Sequence, residues 1–233
     1  MKHLKLFESF ENIHEICKKY EIEDYTVNSD GSIDVSGSVY LYARKLTKLP
    51  LKFNKVGGDF WCNSNGLTDL EGCPIEVVGG FYCQYNNLVS LEGCPKKVGN
   101  SFQCFNNNLT SLRGCTQIIN GNFWCCYNNL TDFEGCPKIV KGTIDCRHND
   151  IYTFEGIPDF MYADEIKCVG NLVHNVWVLF EDVYKFEIYN FCDPIRPPEK
   201  EGGMPIIILD RLNDFLSLSG CKRVEKVDGY INI

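Results

Sequence analysis

The sequence predicts a repeat solenoid of 21-residue coils, with a parallel β-sheet on its concave face and a small cap at each end. Three observations predict it. Between Val56 and Pro158 the pattern F-x-C-x-x-N-x-L-x-x-L/F-x-G-C-P recurs every 21 residues without a gap, in coils that begin at Phe60, Phe81, Phe102, Phe123 and Ile144. Its columns hold one chemistry each: Cys62 to Cys146, Asn65 to Asn149, Leu67 to Ile151 and Leu70 to Phe154. A single coil also cannot stand alone. Its core residues (Val56, Phe60, Cys62, Leu67, Leu70 and Cys73) gain roughly 1.5–3 kcal/mol each on burial, whereas ordering its backbone costs about 1–2 kcal/mol per residue. Coils must therefore stack on neighbours, and the ends of the stack must be covered.

Within a coil, Phe60 and Cys62 are two apart and point to the same side of a strand, into the core. Asn65 is expected to turn its amide inward and satisfy backbone groups where the coil bends away from the strand. Gly58, Gly79, Gly121 and Gly142, with Asn100 in the same column, are expected to mark a turn with positive φ. Gly72-Cys73-Pro74 and its copies punctuate the other side of the coil, and Thr116 stands in the proline column of the third copy. These columns resemble the leucine-rich repeat, L-x-L-x-x-N-x-L, with Phe and Cys in the places of the first two leucines. The resemblance implies the solenoid fold and no particular activity.

The chain divides into three parts: residues 1–55, a cap; 56–176, the solenoid; and 177–233, a second cap or accessory segment. In residues 2–20, Leu4, Phe7, Phe10, Ile13, Cys17 and Tyr20 recur at helical spacing between charged residues, which predicts an amphipathic helix over the open end of the stack. Tyr25 to Val35 reads as a hairpin around Asp30-Gly31. Val39, Leu41, Leu46 and Leu49 form a degenerate first coil, with Arg44 in the asparagine column. After Pro158 the register slips by one, and Ile166, Cys168, Asn171, Val173 and Val176 make an imperfect last coil. A helix from Trp177 to Asn190, an exposed loop over Asp193 to Pro205, a strand at Ile206-Ile207-Ile208, a helix over Asp210 to Ser217 and a strand in Gly229 to Ile233 complete the prediction.

A net charge of −8 and a pI near 5.1 argue against a nucleic-acid backbone or an anionic membrane as partner. No run of apolar residues is long enough for a transmembrane helix, and Met1 to Glu8 lacks the apolar core of a signal peptide, so the expected place is the cytoplasm. Nine of the 14 cysteines fall in two ladders at the repeat period. They are read as small apolar fillers, reduced in a reducing compartment, and their spacing matches no common zinc pattern. No metal or cofactor is expected. No nucleophile, phosphate-loop or metalloprotease motif occurs, so the protein is read as no enzyme.

Residues that flank the core pair on each strand point to the opposite face. One such column holds Tyr40, Trp61, Tyr82, Gln103, Trp124 and Asp145; the next holds Tyr42, Asn63, Gln84, Phe105, Cys126 and Arg147; one residue on come Tyr85, Tyr127 and His148. A face so rich in aromatic residues predicts an interaction surface, with Tyr40, Tyr42, Trp61, Tyr82, Tyr85, Phe105, Trp124, Tyr127 and Arg147 as its partner-binding residues. The bland alternative is that the rings only stack along the ladder and stabilise it. Alternation sends Cys126 outward, where it would be an accessible thiol. A second reading places a small-molecule pocket, or an active site, near Asp145, Arg147 and His148, between the last coils and the C-terminal segment. A third is a virion or oligomer component joined through an exposed solenoid edge.

The opening Met1 to Phe10, the stretch Asp30 to Val35, repeats of the type Asn-Asn-Leu-Thr-Ser-Leu-x-Gly-Cys-Pro and the Gly-Tyr-Ile-Asn-Ile ending resemble leucine-rich-repeat proteins encoded by tailed bacteriophages. This resemblance implies expression in a bacterial host cell, and from it comes the expectation of a host protein, such as a defence factor, as partner.

Overall fold

The structure, a computed structural model, describes residues 12–156, 163, 165–179, 195–196, 198–199, 203–218 and 221–233. Each coil contributes two short strands, which stack coil upon coil into two sheets of seven strands. The sheet predicted from the Phe-x-Cys column consists of β3 (Val39–Tyr40), β5 (Phe60–Trp61), β7 (Phe81–Tyr82), β9 (Phe102–Gln103), β11 (Phe123–Trp124), β13 (Thr143–Asp145) and β14 (Glu165–Lys167). All of its pairings are parallel and in the register of the repeat: Val39 opposite Phe60, Phe60 opposite Phe81, and so on to Ile144 opposite Ile166. The last pairing bears out the one-residue slip.

The second sheet has no counterpart in the sequence reading. It consists of β1 (Tyr25–Val27), β2 (Ile33–Val35), β4 (Phe53–Val56), β6 (Glu76–Val77), β8 (Lys97–Val98), β10 (Ile118–Ile119) and β12 (Ile139–Val140). It starts from the predicted hairpin, in which Tyr25 pairs antiparallel with Val35, and continues in parallel. Its inward column is Val56, Val77, Val98, Ile119 and Val140, all buried.

Between the sheets the core is stacked by type. Phe60, Phe81, Phe102 and Phe123 lie one above another with ring centroids 5.9, 5.1 and 5.8 Å apart. Both cysteine ladders are buried and reduced; none of the cysteines in the described residues forms a disulfide. Burial pushes the thiols of Cys83, Cys104, Cys125 and Cys146 far above their ordinary range, so they pack as neutral, apolar groups.

The asparagine ladder closes each bend. The Asn86 Oδ1 accepts the Leu67 N–H at 3.0 Å, while its Nδ2 donates to the carbonyls of Cys62 and Cys83 at 3.1 and 3.0 Å. Asn107, Asn128 and Asn149 repeat this pattern. Asn171 does so in the slipped coil, accepting from Ile151 N–H and donating to the carbonyls of Cys146 and Cys168. Each side chain thus ties three backbone groups across two coils. Thr116, in the proline column, donates its hydroxyl to the Lys96 carbonyl of the preceding coil at 3.0 Å.

The glycine expectation is corrected. Positive φ falls not at Gly58, Gly79, Gly121 and Gly142 but in the Gly-Cys-Pro column, at Gly72, Gly93, Gly114 and Gly135. The first column is glycine because coils touch there: a Cβ on Gly79 would lie 2.8 Å from the Gly58 carbonyl carbon, and one on Gly142 would lie 2.9 Å from that of Gly121.

At the N-terminal end, residues 12–19 form a helix, α1, that buries Ile13 and Cys17 against the stack; the rest of the predicted helix, with His3, lies outside the described residues. At the other end, α2 (His174–Trp177) follows the last coil, and the predicted continuation to Asn190 lies outside the described residues. The segment expected to be a loop contains a strand: β15 (Ile195–Arg196) pairs antiparallel with β16 (Ile206–Ile207), which pairs parallel with β17 (Ile231–Asn232). Apolar Ile195 supplies the reason, being buried in that small sheet. The helix α3 (Leu209–Leu218) buries Leu212 and Leu216. Tyr230 binds this segment to the solenoid, its hydroxyl donating to the Tyr152 carbonyl at 2.7 Å. Among the described residues, no helix is long and apolar enough to cross a membrane.

Candidate functional site

The outer face of the first sheet carries the predicted rows in order, since the strand register places Tyr40, Trp61, Tyr82, Gln103, Trp124 and Asp145 side by side. The rings divide into two groups. Trp61 and Tyr82 are half-buried and stacked face to face at 3.8 Å; Phe105 and Trp124 are half-buried with centroids 6.1 Å apart. Tyr40, Tyr42, Tyr85 and Tyr127 are about half exposed, at 52, 52, 53 and 49%. Both readings of the aromatic face therefore have material: the inner rings stabilise the ladder, and the four tyrosines stand open above it.

The tyrosines at 85 and 127 sit in a column with unusual backbone. Ala43, Ser64, Tyr85, Asn106, Tyr127 and His148 all adopt φ between 52° and 56°, and Gly170 takes the same slot in the last coil. Asn106, His148 and Gly170 are of the residue types most often found in this left-handed conformation. Their spacing, at multiples of the repeat period plus its slip, is the signal in the sequence that could have revealed it.

Arg147 is the best-organised polar group on the face. Asp145 takes its side edge, with Oδ1 accepting from Nε at 2.9 Å and Oδ2 from Nη2 at 2.7 Å. Asp145 is itself buried, and Oδ1 also accepts the Arg147 backbone N–H. Burial would raise its pKa, but the hydrogen bonds and charge of Arg147 outweigh burial and hold the carboxyl below its usual range. Around this pair lies a recess of about 330 Å³, lined by Tyr85, Phe105, Asn106, Asn122, Trp124, Cys126, Tyr127, Thr143, Asp145, Arg147 and Lys167.

This recess lies on the strand face; among the described residues, none of the C-terminal segment lines it, nor does His148, which is exposed and stacked on Tyr127 at 4.5 Å. The expected exposure of Cys126 is corrected. The residue is 6% exposed between its larger column neighbours Phe105 and Arg147, and burial first, then the nearby Asp145 charge, pushes its thiol up to about 11. Three polar atoms near the other end of the face, Trp61 Nε1, Asn63 Oδ1 and Gln84 Oε1, are buried without a hydrogen-bond partner among the described residues. Among the described residues, no three His, Cys, Asp or Glu side chains come together so as to hold a metal ion.

What these features define is a β-solenoid with a tyrosine-bearing strand face and an arginine-centred recess set into it. Comparison with family models, with curated proteins and with solved structures finds no match for the chain.

Proposed function

We propose that this chain is a non-catalytic interaction module that binds a protein through the outer face of the first sheet. The observation that carries the reading is the set of half-exposed tyrosines along the first sheet, Tyr40 on β3 and Tyr42, Tyr85 and Tyr127 just past the ends of β3, β7 and β11. Tyrosine supplies large contact area with few torsions to order and a hydroxyl for the partner's polar groups, which suits it to interfaces. Two of the four occupy strained left-handed backbone where asparagine or glycine would fit better, so the ring is held there at some cost in stability. Trp61, Tyr82, Phe105 and Trp124 form the platform beneath, and Arg147 lies at one end of it.

The likeness to phage-encoded proteins supports a bacterial host protein as partner, in the host cytoplasm. A pull-down from bacterial lysate with the wild type beside a Tyr85→Ala, Tyr127→Ala variant tests this. The reading predicts a protein retained by the wild type and lost from the variant with its unfolding midpoint unchanged; equal retention by both would refute it.

A further inference from the structure

The recess around Arg147 has a chemistry that the protein-binding reading does not use. Asp145 occupies only the Nε–Nη2 edge of the guanidinium. The Nη1–Nη2 edge, with two parallel N–H groups, has no acceptor on Nη1 among the described residues, and Arg147 lines the recess with a side chain 43% exposed. That end-on fork matches the two oxygens of a carboxylate. Lys167 lines the same recess, its ammonium paired at 3.2 Å with Glu165, which is not among the lining residues. The rest of the wall mixes aromatic rings, with Phe105 and Trp124 at a centroid distance of 6.1 Å, and the polar side chains of Asn106, Asn122 and Thr143.

We propose that this recess binds a small aryl carboxylate, its carboxylate docked on the Nη1–Nη2 edge of Arg147 and its ring against Trp124 and Phe105. Asp145, buried and hydrogen-bonded to Arg147 through both oxygens, positions the guanidinium and keeps its plane fixed. Lys167, also in the lining, supplies a second cation that the bound carboxylate would share with Glu165. A volume of about 330 Å³ suits a single substituted ring and lies at the small end of ligand pockets. The recess shares Tyr85, Tyr127, Phe105, Trp124 and Arg147 with the proposed protein-binding face, and its test needs no protein partner.

The test uses ¹⁹F NMR titration of the full chain with 4-fluorobenzoate and its neutral isostere 4-fluorobenzamide. The benzoate is expected to bind at least about tenfold more tightly than the benzamide, the size of one charge-assisted hydrogen bond. Arg147→Lys keeps the charge and the pair with Asp145 but removes the fork, and is expected to lose most of that preference. Lys167→Gln should weaken benzoate severalfold, Trp124→Leu should weaken both probes, and Ile118→Ala, on the other sheet, should change neither. Equal binding of the two probes to the wild type, binding of neither, or full benzoate affinity in a folded Arg147→Lys variant would each overturn the proposal.

Discussion

Trp61 and Tyr82 lie face to face on adjacent coils, with ring centroids 3.8 Å apart and planes 17° from parallel. Such a pair is worth about 0.5–1.5 kcal/mol beyond the area it buries. A double-mutant cycle of Trp61→Ala and Tyr82→Ala, read by urea unfolding, should give a coupling of about 1 kcal/mol. A coupling near zero would mean that the two rings are independent and available to a partner. A coupling of about 1 kcal/mol would mean that the inner rings serve the ladder first, leaving the open tyrosines for the proposed partner.

Asn107→Ala should be among the costliest substitutions in the chain. It leaves the Leu88 N–H and the carbonyls of Cys83 and Cys104 without their partner inside the stack. At about 1–3 kcal/mol for a buried group left unsatisfied, the loss should exceed roughly 3 kcal/mol. Asn65, in the first repeat, is partly exposed, so water can replace its bonds and Asn65→Ala should cost less. Unfolding midpoints of the two variants decide this.

The left-handed column separates stability from binding. Tyr85→Asn gives φ 55° a residue type that tolerates it, at the loss of the edge contact between Tyr85 and Phe105 at 5.2 Å. Thermal unfolding of the variant should match the wild type within about 1 kcal/mol, while partner binding falls at least severalfold. Binding that survives in a Tyr85→Asn, Tyr127→Asn variant would remove these two residues from the interface.

Acid should test the Asp145–Arg147 pair. Because the Asp145 carboxyl is held below its usual value, the pair contributes stability above the unfolded carboxylate pKa of about 3.9. That contribution is lost as pH falls from there through the lower folded value. Asp145→Asn should therefore cost about 1–3 kcal/mol at pH 7, the lower part of the range for a buried pair because Arg147 is half exposed and screened. The difference from wild type should shrink as pH falls below about 4. A difference independent of pH between 7 and 3 would show that the ion pair is not what stabilises the site.

Much of this fold is legible in the sequence because each column serves one purpose in every coil. Phe60, Cys62, Asn65, Leu67 and Leu70 recur with their copies, and the structure uses each as its chemistry suggests, down to the slipped register of Asn171. The second sheet is not legible: β6, β8, β10 and β12 are two residues long, too short to show alternation, and only their single inward Val or Ile repeats. The two glycine columns could not be told apart either, since a glycine for close approach and a glycine for positive φ look alike in one chain. At the site, alternation places the aromatic rows correctly but says nothing of the size of neighbouring side chains. For that reason Cys126, flanked by Phe105 and Arg147, is expected in solvent and found buried. The Asp145–Arg147 contact follows from their two-residue spacing on one strand face, whereas its side-on geometry does not.

The most direct test of the interaction face is site-specific photo-crosslinking in a bacterial cytoplasm. Benzoylphenylalanine would replace Tyr85 on the first sheet and, in a second variant, Ile118, which is also about half exposed but lies on the other sheet. Binding through the tyrosine face predicts one defined protein adduct from position 85 and none from position 118. The same adduct from both positions, or an adduct from position 118 alone, would contradict it.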